Sequence, residues 1–180
     1  MDWQKFRASL FDGIYHELGH IIAEIVYFPD TSTIEGMALV RQSNGAYKFN
    51  TIKSYHPWQH PKHMQACAMI CMCGGIFQQI KNIDITHDNY NWAERFVSYF
   101  SKKRALISYL QRVVQPEIVG MEVDIEICND WLAKVGRKIN FNKVKNDAIL
   151  LLLPYANKKS IDELSNIIAD KIVENKGETF

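Results

Sequence analysis

The stretch Tyr15-His16-Glu17-Leu18-Gly19-His20 constrains this chain more than any other, because it has the HExxH form. Residues four apart on a helix share a face, so His16 and His20 can aim two imidazoles at one metal ion with Glu17 beside them. The spacing therefore predicts a helix and a chemistry together. Zinc takes the two nitrogens and a third protein ligand, leaving a fourth position for water, and Glu17 is placed to remove a proton from that water. With six His in 180 residues, such a motif arises by accident in about one chain in a hundred. The flanks sharpen the reading further. Ile14, Ile21, Ile22, Ile25 and Val26 put the motif in a helix with a broad apolar face, where two histidines and a carboxylate are costly without a metal or hydrogen-bonding partners.

Composition bounds what can be built around this helix. At 47% hydrophobic content and a formal charge of +1, the 180 residues read as a single globular domain, 1–180, large enough to bury a core without disulfides. The near-zero net charge gives no electrostatic case for nucleic acid or an anionic membrane, and the locally basic stretch 134–159 reads as a solvated face. With no apolar run of about 18 residues and no charged-then-apolar N-terminus, a soluble, cytoplasmic protein is expected. The cysteines agree with a reducing compartment: Cys67, Cys71 and Cys73 crowd one apolar segment while Cys128 stands apart. They are expected to be buried thiols rather than disulfides or a metal site, although Cys67 and Cys71 stand four apart.

The periodicity predicts a mainly α (α+β) domain with a small β-hairpin after the motif helix, and the HExxH motif implies that it is of zincin type. Trp3, Phe6 and Leu10 have helical spacing over 2–11, Asp12-Gly13 interrupts, and the motif helix runs over about 13–28 to Pro29-Asp30. Residues 34–41 and 46–52 are strand-like runs joined by Ser43-Asn44-Gly45, a hairpin-turn signal. In a peptidase an extended substrate can add to such an edge as a further strand. Residues 53–63 hold His56, His60 and His63 with two prolines and read as a loop. An apolar helix follows over about 62–81, and its Gly74-Gly75 pair implies either close approach of another backbone or a break. Further helices are expected over about 88–113, 140–154 ended by Pro154, and 160–175 opened by a capping box from Ser160 to Glu163; over 117–135 Met121, Val123, Ile125 and Ile127 alternate as in a strand while Ile118, Met121, Ile125, Cys128, Leu132 and Val135 step as in a helix, and the length favours a helix.

The third ligand must lie beyond the motif helix, because Ile21-Ile22-Ala23-Glu24-Ile25-Val26 lacks the glycine and third histidine of the metzincin extension. Asp84, Asp88, Glu94 or a loop histidine can supply it, whereas Glu24 is disfavoured by standing on the motif helix itself. Three stretches in order resemble the protease domain of the FtsH family of ATP-dependent zinc proteases. They are Tyr15-His16-Glu17-Leu18-Gly19-His20, Gly74-Gly75-Ile76-Phe77-Gln78-Gln79 and Thr86-His87-Asp88-Asn89-Tyr90-Asn91-Trp92-Ala93. The resemblance covers about residues 10–110. It implies that His16, His20 and Asp88 hold Zn2+, that Glu17 is the base, and that the substrate is a flexible or unfolded polypeptide. This chain has no GxxxxGK[ST] phosphate loop, so the implied enzyme is a stand-alone endopeptidase, fed by extended segments or by a separate unfoldase. The competing expectation is a peptide- or protein-binding regulatory module that keeps the metal-site fold without cutting.

Overall fold

A computed structural model describes residues 3–29, 34–41, 47–53, 64–83, 107, 110–111, 122–134, 136, 140–156 and 158–175. These form mainly helix: α1 (Trp3–Tyr27), α2 (Met64–Asn82), α3 (Glu122–Lys134), α4 (Phe141–Ala156) and α5 (Lys159–Glu174), with a ribbon of β1 (Ile34–Arg41) and β2 (Tyr47–Lys53) between α1 and α2. Helix α2 is the centre of the domain, packing against α1, α3 and α4, while α5 packs on α1. Its sequence explains that position. Every residue from Cys67 to Phe77 is buried, and a helix that is apolar on all sides can be stable only inside a core.

Helix α1 presents Leu10, Ile14, Leu18 and Ile22 to that core, all buried and one helical repeat apart. Asp12-Gly13 does not break it, contrary to the pattern in the sequence: α1 is continuous from Trp3 to Tyr27. The glycine has a packing reason instead, because a Cβ at Gly13 would collide with the Phe49 ring of β2. At the N-terminal end of α1, Arg7 reaches α5, donating from Nε to Asp170 Oδ1 at 2.6 Å and from Nη2 to Asn166 Oδ1 at 2.8 Å. The ribbon is antiparallel with Met37 opposite Thr51 and Leu39 opposite Phe49, and its register shifts between Ile34 and Gly36. The expected hairpin is thus present, while its turn lies outside the described residues.

The last two helices start and stop for reasons the sequence disguises. Asn140 caps α4, its Oδ1 accepting from the Lys143 N–H at 3.1 Å. Pro154 lies inside α4 rather than ending it. In the final turn the proline deletes only one backbone bond, and Tyr155 and Ala156 can still bond backwards. The Ser160 capping box does not form: α5 begins at Lys159, and its N-cap, Lys158, makes no side-chain cap bond. The α4–α5 junction is secured from α2, where Lys81 Nζ donates to the Ala156 carbonyl at 2.9 Å and to Asp162 Oδ1 at 2.5 Å. The same ammonium lies 5.1 Å from the centre of the Tyr15 ring, beside the motif. Among the described residues, no helix is long and apolar enough to cross a membrane.

Candidate metal centre

Three helices bring His16, His20 and Asp124 together, and each offers one ligand atom to a common point. The two histidines are neighbours on α1, their rings 4.8 Å apart and steeply tilted at 76°. His20 is held by a single bond that decides its chemistry: Nδ1 lies 2.8 Å from the Ile70 carbonyl of α2. A carbonyl can only accept, so Nδ1 carries the hydrogen and Nε2 keeps its lone pair in the neutral ring. Fixing the second nitrogen of a histidine on a carbonyl is the usual way a metal-ligating imidazole is oriented.

Close helix contact makes that bond available. At Gly19 an added Cβ would lie 2.7 Å from Phe77 Cβ and closer still to the Cys73 carbonyl oxygen, so α1 and α2 approach where α1 has no side chain. On α2 the matching residue is Gly74, where an added Cβ would lie 2.9 Å from His16 Nε2 and closer to His20 Nε2. In an α-helix the carbonyl of residue 70 points toward residue 74, so the bare Gly74 leaves the Ile70 oxygen approachable from outside. The glycine pair expected to mark close approach or a break therefore lies in an unbroken helix, with Gly74 at a point of approach.

Asp124 comes from α3. Four residues along the same face, Cys128 is buried and its thiol donates to the Ala68 carbonyl of α2 at 3.3 Å, which seats that face on α2 and turns Asp124 to the histidines. Asp124 Oδ2 lies 3.0 Å from His16 Nε2 and 3.6 Å from His20 Nε2. The two Nε2 atoms are themselves 3.0 Å apart. Despite these short separations Oδ2 is buried without a hydrogen-bond partner, an arrangement that is costly unless something else satisfies the oxygen.

The donor set fits a metal ion. Tetrahedral zinc with nitrogen and oxygen ligands at about 2.0–2.1 Å holds those ligands about 3.3 Å from one another, and the observed separations are 3.0, 3.0 and 3.6 Å. Two imidazole nitrogens and one carboxylate oxygen are borderline-to-hard donors suited to zinc, and three ligands leave one position open. The electrostatics point the same way. Burial pushes the Asp124 carboxyl up, but the facing imidazoles outweigh it and hold the group well below the usual carboxylate range. Burial pushes His20 down, and the Asp124 carboxylate, with smaller help from Glu17 and the Ile70 carbonyl, brings it above the ordinary histidine value. A site that favours positive charge on its ligands in this way is prepared for a cation.

The chain matches no protein-family model, no curated protein and no solved structure.

Of the residues singled out from sequence, His16 and His20 converge as their spacing requires, and Glu17 is half-buried with its charge felt at His20. Asp88, the ligand implied by resemblance, lies outside the described residues, as do Asp84, Glu94, His56, His60 and His63. Cys67 and Cys71 are buried in α2, form no disulfide and take no part in the cluster. Burial pushes the Cys67 thiol up to about 12, with the nearby Glu24 adding to the effect, as expected of a thiol in an apolar core. Glu24 is buried on α1 outside the cluster. Asp124 is the residue sequence reasoning missed. Its signal was a carboxylate beside Ile125 and four residues before Cys128, on the apolar stripe of a helix already expected over 117–135.

Proposed function

We propose that this protein is a zinc-dependent endopeptidase in which His16, His20 and Asp124 hold the metal and Glu17 is the general base. The observation that carries the proposal is the buried, unbonded Oδ2 of Asp124 facing two imidazole nitrogens, at separations that fit a tetrahedral ion. It occurs on the sequence Tyr15–His20, whose HExxH form places a carboxylate beside two metal-ligating histidines. Bound zinc would supply Lewis acidity, polarising the scissile carbonyl and making water a better nucleophile.

The remaining work falls to the chain. The Ile70 carbonyl keeps the hydrogen of His20 on Nδ1, so Nε2 stays a donor to the metal throughout. Glu17 takes one proton from the water whose oxygen adds to the carbonyl carbon. It then gives that proton to the amide nitrogen, and the C–N bond breaks to release a carboxylic acid and an amine. Gly74 and Gly19 keep α2 close behind the histidines, fixing the ligands on rigid helices rather than loops. The similarity of the Tyr15–His20, Gly74–Gln79 and Thr86–Ala93 stretches to FtsH-type protease domains supports a polypeptide substrate presented in extended form, delivered by a separate unfoldase where the substrate is folded.

Glu17→Gln tests this reading. The variant should retain the parent's zinc content while peptide-bond hydrolysis of an unfolded protein substrate falls by about 10²–10⁴. Equal activity in the variant rejects Glu17 as base. A zinc-loaded parent that cuts no unfolded substrate, yet binds one, identifies a peptide-binding module instead.

A further inference from the structure

Helix α2 carries a glycine in the middle of a fully buried run, at position 74, where alanine would make the better helix former and the smallest apolar filler. Something must exclude the methyl group. An ideal Cβ at Gly74 would lie 2.9 Å from His16 Nε2, 2.6 Å from His20 Cε1 and closer than either to His20 Nε2. All three atoms belong to the imidazoles of the metal centre, and two of them are the nitrogens offered to the ion. A zinc ion stands about 2.0–2.1 Å from each such nitrogen. The missing Cβ would thus abut both nitrogens that face the ion.

We infer that the volume left by the absent side chain of Gly74 is part of the ion's seat, so that Gly74 is a positioning residue of the metal site. The inference rests on the metal reading of His16, His20 and Asp124. A collision with a side chain can ordinarily be relieved by rotation, but His20 is not free to rotate. Its Nδ1 is tied to the Ile70 carbonyl of the same helix that carries Gly74, and turning the ring away from a methyl group at 74 breaks that bond. Swinging it also moves Nε2 off the point it shares with His16 and Asp124. Any side chain at 74 thus acts twice, by filling the seat and by unseating a ligand.

The test is zinc affinity by chelator competition on four proteins: the parent, Gly74→Ala, His20→Ala, and the double variant, each checked for helical circular dichroism. The parent should bind one zinc per chain, and Gly74→Ala should remain helical with affinity at least a hundredfold lower. In zinc-free buffer Gly74→Ala should lower the thermal midpoint of the parent. It should lower the midpoint of His20→Ala by less, because the nearer ring is gone and only the His16 Nε2 contact at 2.9 Å remains. A folded Gly74→Ala with the parent's zinc affinity overturns the inference, and so does an equal loss of midpoint in both backgrounds, which would put the collision elsewhere. If Gly74→Ala does not fold alone, the comparison within His20→Ala decides by the same criterion. A parent that binds no zinc defeats the metal reading and this inference together, whereas a zinc-binding parent with an unaffected Gly74→Ala defeats this inference alone.

Discussion

Asp124→Asn keeps the shape of its side chain and removes the charge, and its effect on the zinc-free protein should reverse sign with pH. Burial disfavours the charged form of His20, but the Asp124 carboxylate raises its pKa above the ordinary value in the folded chain. A group whose folded pKa exceeds its unfolded one contributes stability that is fully present below the unfolded pKa, about 6.5 for histidine. That contribution fades as pH rises through the folded value. The matching contribution of Asp124, whose pKa is depressed, holds down to the acid range and is strongest while His20 carries its proton. At pH 6, therefore, Asp124→Asn should destabilise. Well above the His20 titration that ring is neutral and Oδ2 is a buried oxygen without a partner, a situation that costs about 1–3 kcal/mol. An amide there can donate to an imidazole lone pair, so the substitution should become neutral or stabilising by up to about 1 kcal/mol, or about 2–4 °C in Tm for a chain of this size. Zinc reverses the comparison. At free zinc a thousandfold above Kd the parent gains about 4 kcal/mol, which is about 8–16 °C. A variant bound a hundredfold more weakly gains about 1.4 kcal/mol, or about 3–6 °C. Differential scanning of both proteins at pH 6 and pH 9, with chelator and with zinc, reads all four quantities. The reasoning fails if the zinc-free shift has one sign at both pH values, or if the zinc-induced rise is equal in parent and variant.

Three further expectations follow from the packing. Zinc should slow amide hydrogen exchange in α3, because the metal ties Asp124 to α1, against which α3 otherwise makes little contact; exchange over 122–134 that ignores zinc would remove Asp124 from the site. Lys81→Met should lower stability by about 1–3 kcal/mol, or about 2–12 °C in Tm, by leaving the Ala156 carbonyl and Asp162 without their shared donor, and an unchanged midpoint would refute that role. The four cysteines should be inert to thiol reagents at pH 8 in the folded protein and react together on unfolding, since all are buried and burial pushes Cys67 and Cys128 up to about 12; rapid labelling of any of them in the native state would contradict their burial.

The motif helix, the hairpin and the buried α2 were legible because each rests on a local period that one stretch of chain carries by itself, whereas the stretch around 122–134 carries both a strand-like and a helical period and only its length favoured the helix that forms. Boundaries were less so. Asp12-Gly13 carries the composition of a break, yet Gly13 is required by the ring of Phe49, a contact made across 36 residues of sequence. Pro154 and Ser160 carry the composition of a stop and a cap, yet the junction they flank is set by Lys81 from α2. The residues of the candidate site divide along the same line. His16 and His20 share one helix and declare themselves by spacing, whereas Asp124 reaches them only through tertiary packing, across more than a hundred residues. Spacing from the motif does not separate such a carboxylate from Asp84, Asp88 or Glu94. What distinguished Asp124 was its place on a stripe that had to be buried, beside Ile125 and in line with Cys128, where an unpaired carboxylate is costly and calls for a partner.

The most direct measurement is a crystal of the zinc-soaked protein examined for anomalous scattering at the zinc edge. One strong peak per chain should appear about 2.0–2.2 Å from His16 Nε2, His20 Nε2 and an Asp124 carboxylate oxygen, with a fourth position away from protein atoms. A peak with Asp88, or any other carboxylate, in place of Asp124, or no peak at the two histidines, would contradict this assignment.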